Sequence, residues 1–297
     1  MDAIVTLVAA PAPSSHPARL DPSIVDRLRR ALSPWRPGET DVFADGRAAD
    51  IPVAADPWDM ALAGAIRAAL DGLPIDYALQ PAAPRAKRLL LADMDSTIVT
   101  GETLDEMAAI AGIGEKVKAI TARAMNGELD FHAAIRERVG LLAGMDAGIL
   151  EAAYATVEVT PGAEALVRGM RANGACCRLV SGGFRFFTRR IAERVGFHGD
   201  QANDIEIQDG RLTGRVIDPI LDSGAKVAAL ERHAAELGVE MAATLAVGDG
   251  ANDLAMLGRA GLGVAWRAKP TVAAAARARV DHGDLSTLLL FQRLEPA

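Results

Sequence analysis

Arg88-Leu-Leu-Leu-Ala-Asp-Met-Asp-Ser-Thr97 is the stretch on which the fold turns. A short, continuous apolar run that stops abruptly at two acids has the form of a strand buried on both faces, delivering carboxylates at its carboxyl end. Asp93 and Asp95 stand two residues apart and can converge there. One carboxylate can coordinate a cation and attack phosphorus. The other, kept protonatable by its neighbour's charge and its surroundings, can protonate the leaving oxygen. The same letters would also suit an acidic loop capping the next helix, so this pair decides nothing until its partners are found.

Working outward, apolar runs at residues 176–180, 244–247, 262–265 and 278–280 alternate with helical patterns. That alternation predicts parallel strands joined by crossover helices. Two segments interrupt it. Residues 102 to about 155 read as consecutive helices, with breaks at Gly112, Gly114, Gly127, Gly140 and Gly144, and their place after the first core strand suits a cap over its carboxyl end, where ligands of open α/β sheets bind. Residues 204–217 alternate around Asp209-Gly210, a hairpin signal. Upstream, Pro81-Ala-Ala-Pro84 marks a linker. It divides the chain into residues 1–84 and 85–297. Within the first part, strands at 4–8, 41–43, 51–53 and 75–79 and helices at 22–32 and 58–70 run β-α-β-β-α-β, a ferredoxin-like order. The linker predicts that removing residues 1–82 leaves a folded core.

Three further strand ends carry chemistry. Gly248-Asp-Gly-Ala-Asn-Asp253 follows an apolar run, and Asp249, Asn252 and Asp253 fall at i, i+3 and i+4, able to point oxygens at one place. Together with Asp93 they could supply the oxygen ligands that magnesium takes. Ser181-Gly182-Gly183 follows Leu179-Val180, and Lys226 comes early in the helix after Asp222-Ser223-Gly224. A hydroxyl, glycine-exposed N–H groups and a lysine make a phosphate cradle.

The bulk properties narrow the partners. With 32 basic against 39 acidic side chains, a net charge of -7, the chain lacks a broad nucleic-acid footprint, so an anionic substrate must meet local positive charge. No apolar stretch approaches the roughly 18 residues of a membrane span. The run at residues 3–10 is short, has no preceding Lys or Arg and follows Asp2, so it reads as a strand and not as a signal peptide. A cytoplasmic location is expected. Cys176 and Cys177, adjacent in an apolar run, suit buried thiols, and the five histidines have no ligand spacing.

In this order, the motifs at Asp93–Thr97, Ser181, Lys226 and Gly248–Asp253 resemble those of the haloacid dehalogenase superfamily. Within it, Gly101-Glu102-Thr103, Ala124-Met125-Asn126-Gly127, Phe131, Arg136-Glu137-Arg138-Val139, Val180-Ser-Gly-Gly-Phe184 and the hairpin Gln208-Asp-Gly-Arg-Leu-Thr-Gly214 are similar to the phosphoserine phosphatases. The resemblance covers about residues 85–290. It implies an α/β fold with a Rossmann-like parallel-sheet core and an inserted helical cap, preceded by a small α+β ferredoxin-like (ACT-like) domain. It also implies hydrolysis of O-phosphoserine to serine and phosphate in serine biosynthesis, through an aspartyl-phosphate on Asp93. Asp95 would be the general acid that later activates water. Asp93, the Asp95 carbonyl and Asp249 would hold Mg2+, and Ser181, Gly182 and Lys226 would bind phosphate. Asn252 would assist from the substrate side and Asp253 would support it. Glu102 would take the substrate ammonium and Arg138 its carboxylate, with Met125 and Phe131 as an apolar wall.

Where an effector-binding domain would carry a glycine-rich turn, this chain has Pro11-Ala-Pro-Ser-Ser-His-Pro17, which leaves a docking or homodimerising role open. Three other activities compete with hydrolysis of phosphoserine. They are phosphoryl transfer to another alcohol, a phosphatase of another small metabolite, and an amino-acid sensor with a secondary phosphatase core. The intact catalytic motifs argue against the sensor. A sugar phosphate would not need Glu102 and Arg138.

Overall fold

The structure is a computed structural model that describes residues 2–10, 19–126 and 128–294, with the side chain of Met125 outside the description. The chain runs β1 (Ala3–Ala9), α1 (Pro22–Ala31), β2 (Asp41–Phe43), β3 (Ala48–Val53), α2 (Met60–Leu70), β4 (Ile75–Pro81) and β5 (Leu89–Ala92). Four helices follow, α3 (Thr103–Ile110), α4 (Gly114–Met125), α5 (Phe131–Gly140) and α6 (Gly148–Tyr154), then α7 (Ala163–Ala172). The remainder is β6 (Cys176–Phe184), α8 (Arg185–Val195), β7 (Asp200–Gln208), β8 (Arg211–Ile217), α9 (Ser223–Glu236), β9 (Thr244–Gly248), α10 (Leu254–Arg259), β10 (Leu262–Trp266), α11 (Pro270–Ala275), β11 (Ala278–Val280) and α12 (Thr287–Leu290). The expected α/β class, helical insertion and N-terminal β-α-β-β-α-β order are all present. Among the described residues no helix is long and apolar enough to cross a membrane.

Two compact units share this chain. The first comprises Met1–Leu91, Pro161–Cys177 and Leu230–Ala297. Its strands follow the order β2-β3-β1-β4-β11-β10-β9-β5. β1 lies antiparallel between β3 and β4. Its inward residues Val5 and Leu7 join Leu28 of α1 and Leu62 and Ile66 of α2 in one buried cluster. Each of those helices starts on an aspartate: Asp21 accepts from the Ser23 N–H, and Asp59 from Ala61 and Leu62. β9, β10 and β11 are parallel.

The linker at Pro81–Pro84 does not end the sheet of this unit. β4 bonds antiparallel to β11, pairing Ala78 with Ala278 and Tyr77 with Arg279. Buried Asp76 accepts the backbone N–H groups of Asp281, His282 and Gly283 at 2.8, 3.0 and 2.7 Å. Gln80 Nε2 donates to the Phe291 carbonyl at 2.6 Å. Proline-rich composition reports a turn of the chain, whereas strand pairing depends on what lies across the edge, which local letters do not encode. The segment Pro11–Pro17 lies outside the described residues.

The second unit comprises Ala92–Thr160 and Arg178–Ala229. It holds α3–α6, the carboxyl end of β6, α8, the hairpin of β7 and β8, and the first turns of α9. Asp209 and Gly210 take φ of 50° and 74° at the hairpin tip, as a primed two-residue turn demands. Gly214 is a packing requirement, since a Cβ there would meet the Ala143 Cβ at 2.8 Å.

Asp76→Ala should leave the N–H groups of Asp281, His282 and Gly283 without their carboxylate; the Gly283 bond is buried and its loss is worth on the order of 1–3 kcal/mol, while water reaches the other two. We expect about 1–3 kcal/mol of destabilisation, read by denaturant unfolding of the full chain. An unchanged midpoint would show that water replaces the carboxylate.

Candidate active site

Asp93 follows a strand whose four residues are all buried. Its backbone is still extended, at φ -72° and ψ 159°. The chain then folds back sharply: Ser96 adopts φ 55°, its N–H bonds the Gly101 carbonyl at 3.0 Å, and the Val99 N–H bonds Met94 at 3.0 Å. Left-handed backbone at a non-glycine residue marks a site where position is favoured over conformational ease. Its effect here is to bring two carboxylates into the second unit at different depths and in different company.

Asp93 pairs with Lys226. The Lys226 Nζ lies 2.8 Å from Asp93 Oδ1, with side-chain exposures of 3% and 7%. A pair this dry loses most of its hydration, so each charge depends on the other. Lys226 is brought there by α9, whose start is capped where Asp222 Oδ1 accepts the Ala225 N–H at 3.1 Å.

Asp95 is half-buried, and among the described residues no basic side chain forms such a pair with it. Its Oδ1 accepts the Thr103 N–H at 2.9 Å, at the first residue of α3, and its Oδ2 accepts the Ser181 hydroxyl at 3.2 Å. Desolvation of its carboxyl, and after that the charge of Glu102, push its pKa from the ordinary 3.8 up to about 6, against the pull of those hydrogen bonds. The two acids therefore sit in unlike electrostatic surroundings. Asp93 sits against a fixed cation, while Asp95 holds its proton to about pH 6.

Ser181, Gly182 and Gly183 end β6. The Gly183 N–H donates to Ser181 Oγ at 2.8 Å, which aims the hydroxyl at Asp95. A Cβ on Gly183 would meet Asp95 Oδ2 at 2.7 Å and Ser181 Oγ at 3.1 Å, so glycine is required beside the acid. A Cβ on Gly182 would meet the Phe131 ring at 3.1 Å. Phe131, from α5, therefore closes over the serine-glycine turn.

Glu102 is exposed, and its Oε1 accepts the Ser96 hydroxyl at 2.8 Å. Arg138 is half-buried on α5, its Nε donating to the Ala134 carbonyl at 3.3 Å. Burial lowers its pKa, while the charges of Asp105, Glu102 and Asp95 favour its guanidinium. Arg136 turns the other way, to Asp218 at 2.6 Å. The acids that might have claimed Arg138 bond elsewhere, Glu137 to Arg123 and Glu151 to Arg190. Met125 and Gly127, read as part of the wall and its turn, lie outside the described side chains and residues.

The acidic loop belongs to the first unit. Asp253 is fully buried, and its Oδ2 accepts the Gly250 N–H at 3.1 Å. A Cβ on Gly248 would meet the Asp253 Cγ, and one on Gly250 would meet Asn252 Oδ1. Both glycines are therefore demanded by side chains folded back over the turn. Asp249 is half-buried, and its carbonyl accepts the Lys269 N–H at 3.3 Å. Asp249 and Asp253 give this loop hard carboxylate oxygens, the ligand chemistry of magnesium and not of a soft metal, and Asp93 in the second unit is a donor of the same type.

Two contacts had no role in the sequence reading. Thr103 acts through its backbone N–H, which no letter announces. Asn203, buried on β7, could have been noticed as a polar residue at an inward strand position.

Aspartates at the end of a buried strand thus meet a serine-glycine turn and a buried lysine within the second unit. The chain belongs to the haloacid dehalogenase-like hydrolase family, which residues 90–258 match. It is 47% identical over 205 residues to a phosphoserine phosphatase of Streptomyces coelicolor, covering 69% of this chain and 50% of that one, so it spans about half the length of that relative. Over 98% of both chains it is similar to the crystal structure of a HAD family hydrolase from Salmonella enterica serovar Typhi, with a TM-score of 0.83 and 28% identity. A phospho-aspartyl intermediate analogue of phosphoserine phosphatase matches with a TM-score of 0.65 and 39% identity, over 69% of this chain and 99% of that one.

The raised pKa of Asp95 has a measurable sign. The folded protein holds this proton more tightly than the unfolded chain, so its contribution favours folding at low pH and is lost as pH rises from 3.8 through about 6. Relative to Asp95→Asn, wild type should lose stability across that window in thermal unfolding. Parallel curves would show that the carboxyl ionises as an ordinary surface acid.

Proposed function

We propose that this chain hydrolyses O-phosphoserine to serine and phosphate through an aspartyl-phosphate on Asp93, as a step of serine biosynthesis in the cytoplasm. The observation that carries the reading is the division between the two acids, with Asp93 paired to buried Lys226 and Asp95 protonatable near pH 6 beside Ser181. The relatives named phosphoserine phosphatase support it.

Asp93 attacks phosphorus, forming an O–P bond as the ester P–O bond breaks, and Asp95 gives its proton to the departing serine oxygen. Water then attacks the phosphorus of the acyl phosphate. Asp95 takes a proton from that water, and phosphate leaves as the Asp93 carboxylate is restored. Lys226, the Ser181 hydroxyl and the turn at Gly182 hold the phosphate oxygens. Magnesium, held by Asp93, the Asp95 carbonyl and Asp249 with Asn252 and Asp253 in support, would neutralise charge between these carboxylates and the phosphate. At the other end of the substrate, Glu102 takes the ammonium and Arg138 the carboxylate, with Phe131 and Met125 along the methylene. We assign residues 1–84 to an ACT-like domain and residues 85–297 to the phosphatase domain with its cap at about 102–155. The ferredoxin-like strand order supports the first assignment.

Asp93→Asn should abolish both phosphate release and acid-stable labelling of the protein, since an amide forms no acyl phosphate. Asp95→Asn should still label while turning over slowly. Labelling of the Asp93 variant would overturn the mechanism.

Arg138→Ala separates substrate recognition from support of the cap. It should cost phosphoserine on the order of 2–5 kcal/mol in kcat/KM, the range for truncating one partner of a buried charge pair. Phosphoethanolamine has no carboxylate, and its slower turnover should change little. Equal losses on both would place Arg138 in the fold of the cap and return the substrate to another phosphomonoester.

A further inference from the structure

β6 pairs with β7 at Leu179 and Val180, loses register, and pairs again at Phe184, opposite Asn203. The interruption spans Ser181, Gly182 and Gly183. Irregularities of this kind re-aim side chains at the ends of strands, and they leave backbone groups that need other partners. Asn203 supplies one. With only 2% of its surface exposed, it donates from Nδ2 to the Gly182 carbonyl at 2.8 Å and accepts the Leu221 N–H on Oδ1 at 2.7 Å. The partners fix its orientation, since a carbonyl only accepts and an N–H only donates.

Leu221 immediately precedes Asp222, the residue whose carboxylate caps the turn that carries Lys226. One buried amide thus bonds both segments of the phosphate cradle: the serine-glycine turn and the approach to α9. The two segments are close enough that a Cβ on Gly182 would stand 3.9 Å from the Leu221 carbonyl oxygen. Among side chains of this size only a carboxamide has both a donor and an acceptor here; aspartate loses the donor and leucine loses both.

We propose that Asn203 is a positioning residue that sets the spacing between Ser181-Gly182 and Lys226, and so the fit of the cradle to a phosphate group. It acts through Gly182 and Leu221, and the proposal rests on the cradle assigned above. Loosening this spacing weakens every phosphate-bearing ligand alike. A general loss of folded protein would instead lower kcat and leave the affinity of the surviving molecules intact.

The test uses the full chain with magnesium and inorganic phosphate as a competitive inhibitor of phosphoserine hydrolysis. In Asn203→Ala, the Ki of phosphate and the KM of phosphoserine should rise together by about tenfold. Asn203→Asp, which keeps the size and the Leu221 acceptor, should show the same Ki shift and decides the matter if the alanine variant does not fold. In wild type, saturating phosphate should slow hydrogen exchange at the Leu221 N–H, a readout that needs no variant. A Ki within about twofold of wild type in a folded variant, or exchange indifferent to phosphate, overturns the role of Asn203. Absence of phosphate inhibition in wild type would instead remove the cradle itself.

Discussion

Two carboxylates two residues apart cannot both be charged in a dry site without a large penalty, and chemistry that needs one as nucleophile and the other as acid must make them unlike. The environment of β5 does so by giving them different neighbours. Asp93 meets a buried lysine at 2.8 Å, whereas Asp95 meets a hydroxyl, one backbone N–H and the field of Glu102. The left-handed Ser96 belongs to the turn that separates the pair, and the absence of a side chain at Gly183 leaves room for the Asp95 carboxylate beside Ser181.

Within the second unit, α5 packs through buried Ala134, Ile135 and Val139, and its polar contacts to neighbouring segments lie nearer the surface. Phe131 packs on Gly182, His132 Nε2 lies 3.2 Å from Asp222 Oδ2, and Arg136 reaches Asp218. Both polar pairs are substantially exposed. Exposed pairs are each worth about 0–1 kcal/mol, so the apolar face of α5 contributes more to its position than these pairs do. Asn203 and the Asp93–Lys226 pair differ from these in being buried.

In the first unit, the same economy of backbone groups explains why the N-terminal strands share a sheet with β11. An edge strand leaves a row of unpaired donors and acceptors, and β4 supplies partners to β11 while the Asp76 carboxylate collects the next three N–H groups. The small β-α-β-β-α-β module is therefore bound to this unit by backbone pairing as well as by covalent sequence.

The amino-acid sequence by itself determined the strands, the order of the motifs and the chemical type of each group. Apolar runs stop at Asp93, Ser181 and Gly248, and a buried strand must end where its charges begin. Period and composition are local properties, and so are hairpin and linker signals. What only the tertiary structure decided is which groups meet. The bond from Thr103 N–H to Asp95, the bridge of Asn203 between Gly182 and Leu221, the separate directions of Arg136 and Arg138, and the pairing of β4 with β11 all join residues through folded geometry. Most of these involve backbone groups, which no single residue type carries in its name.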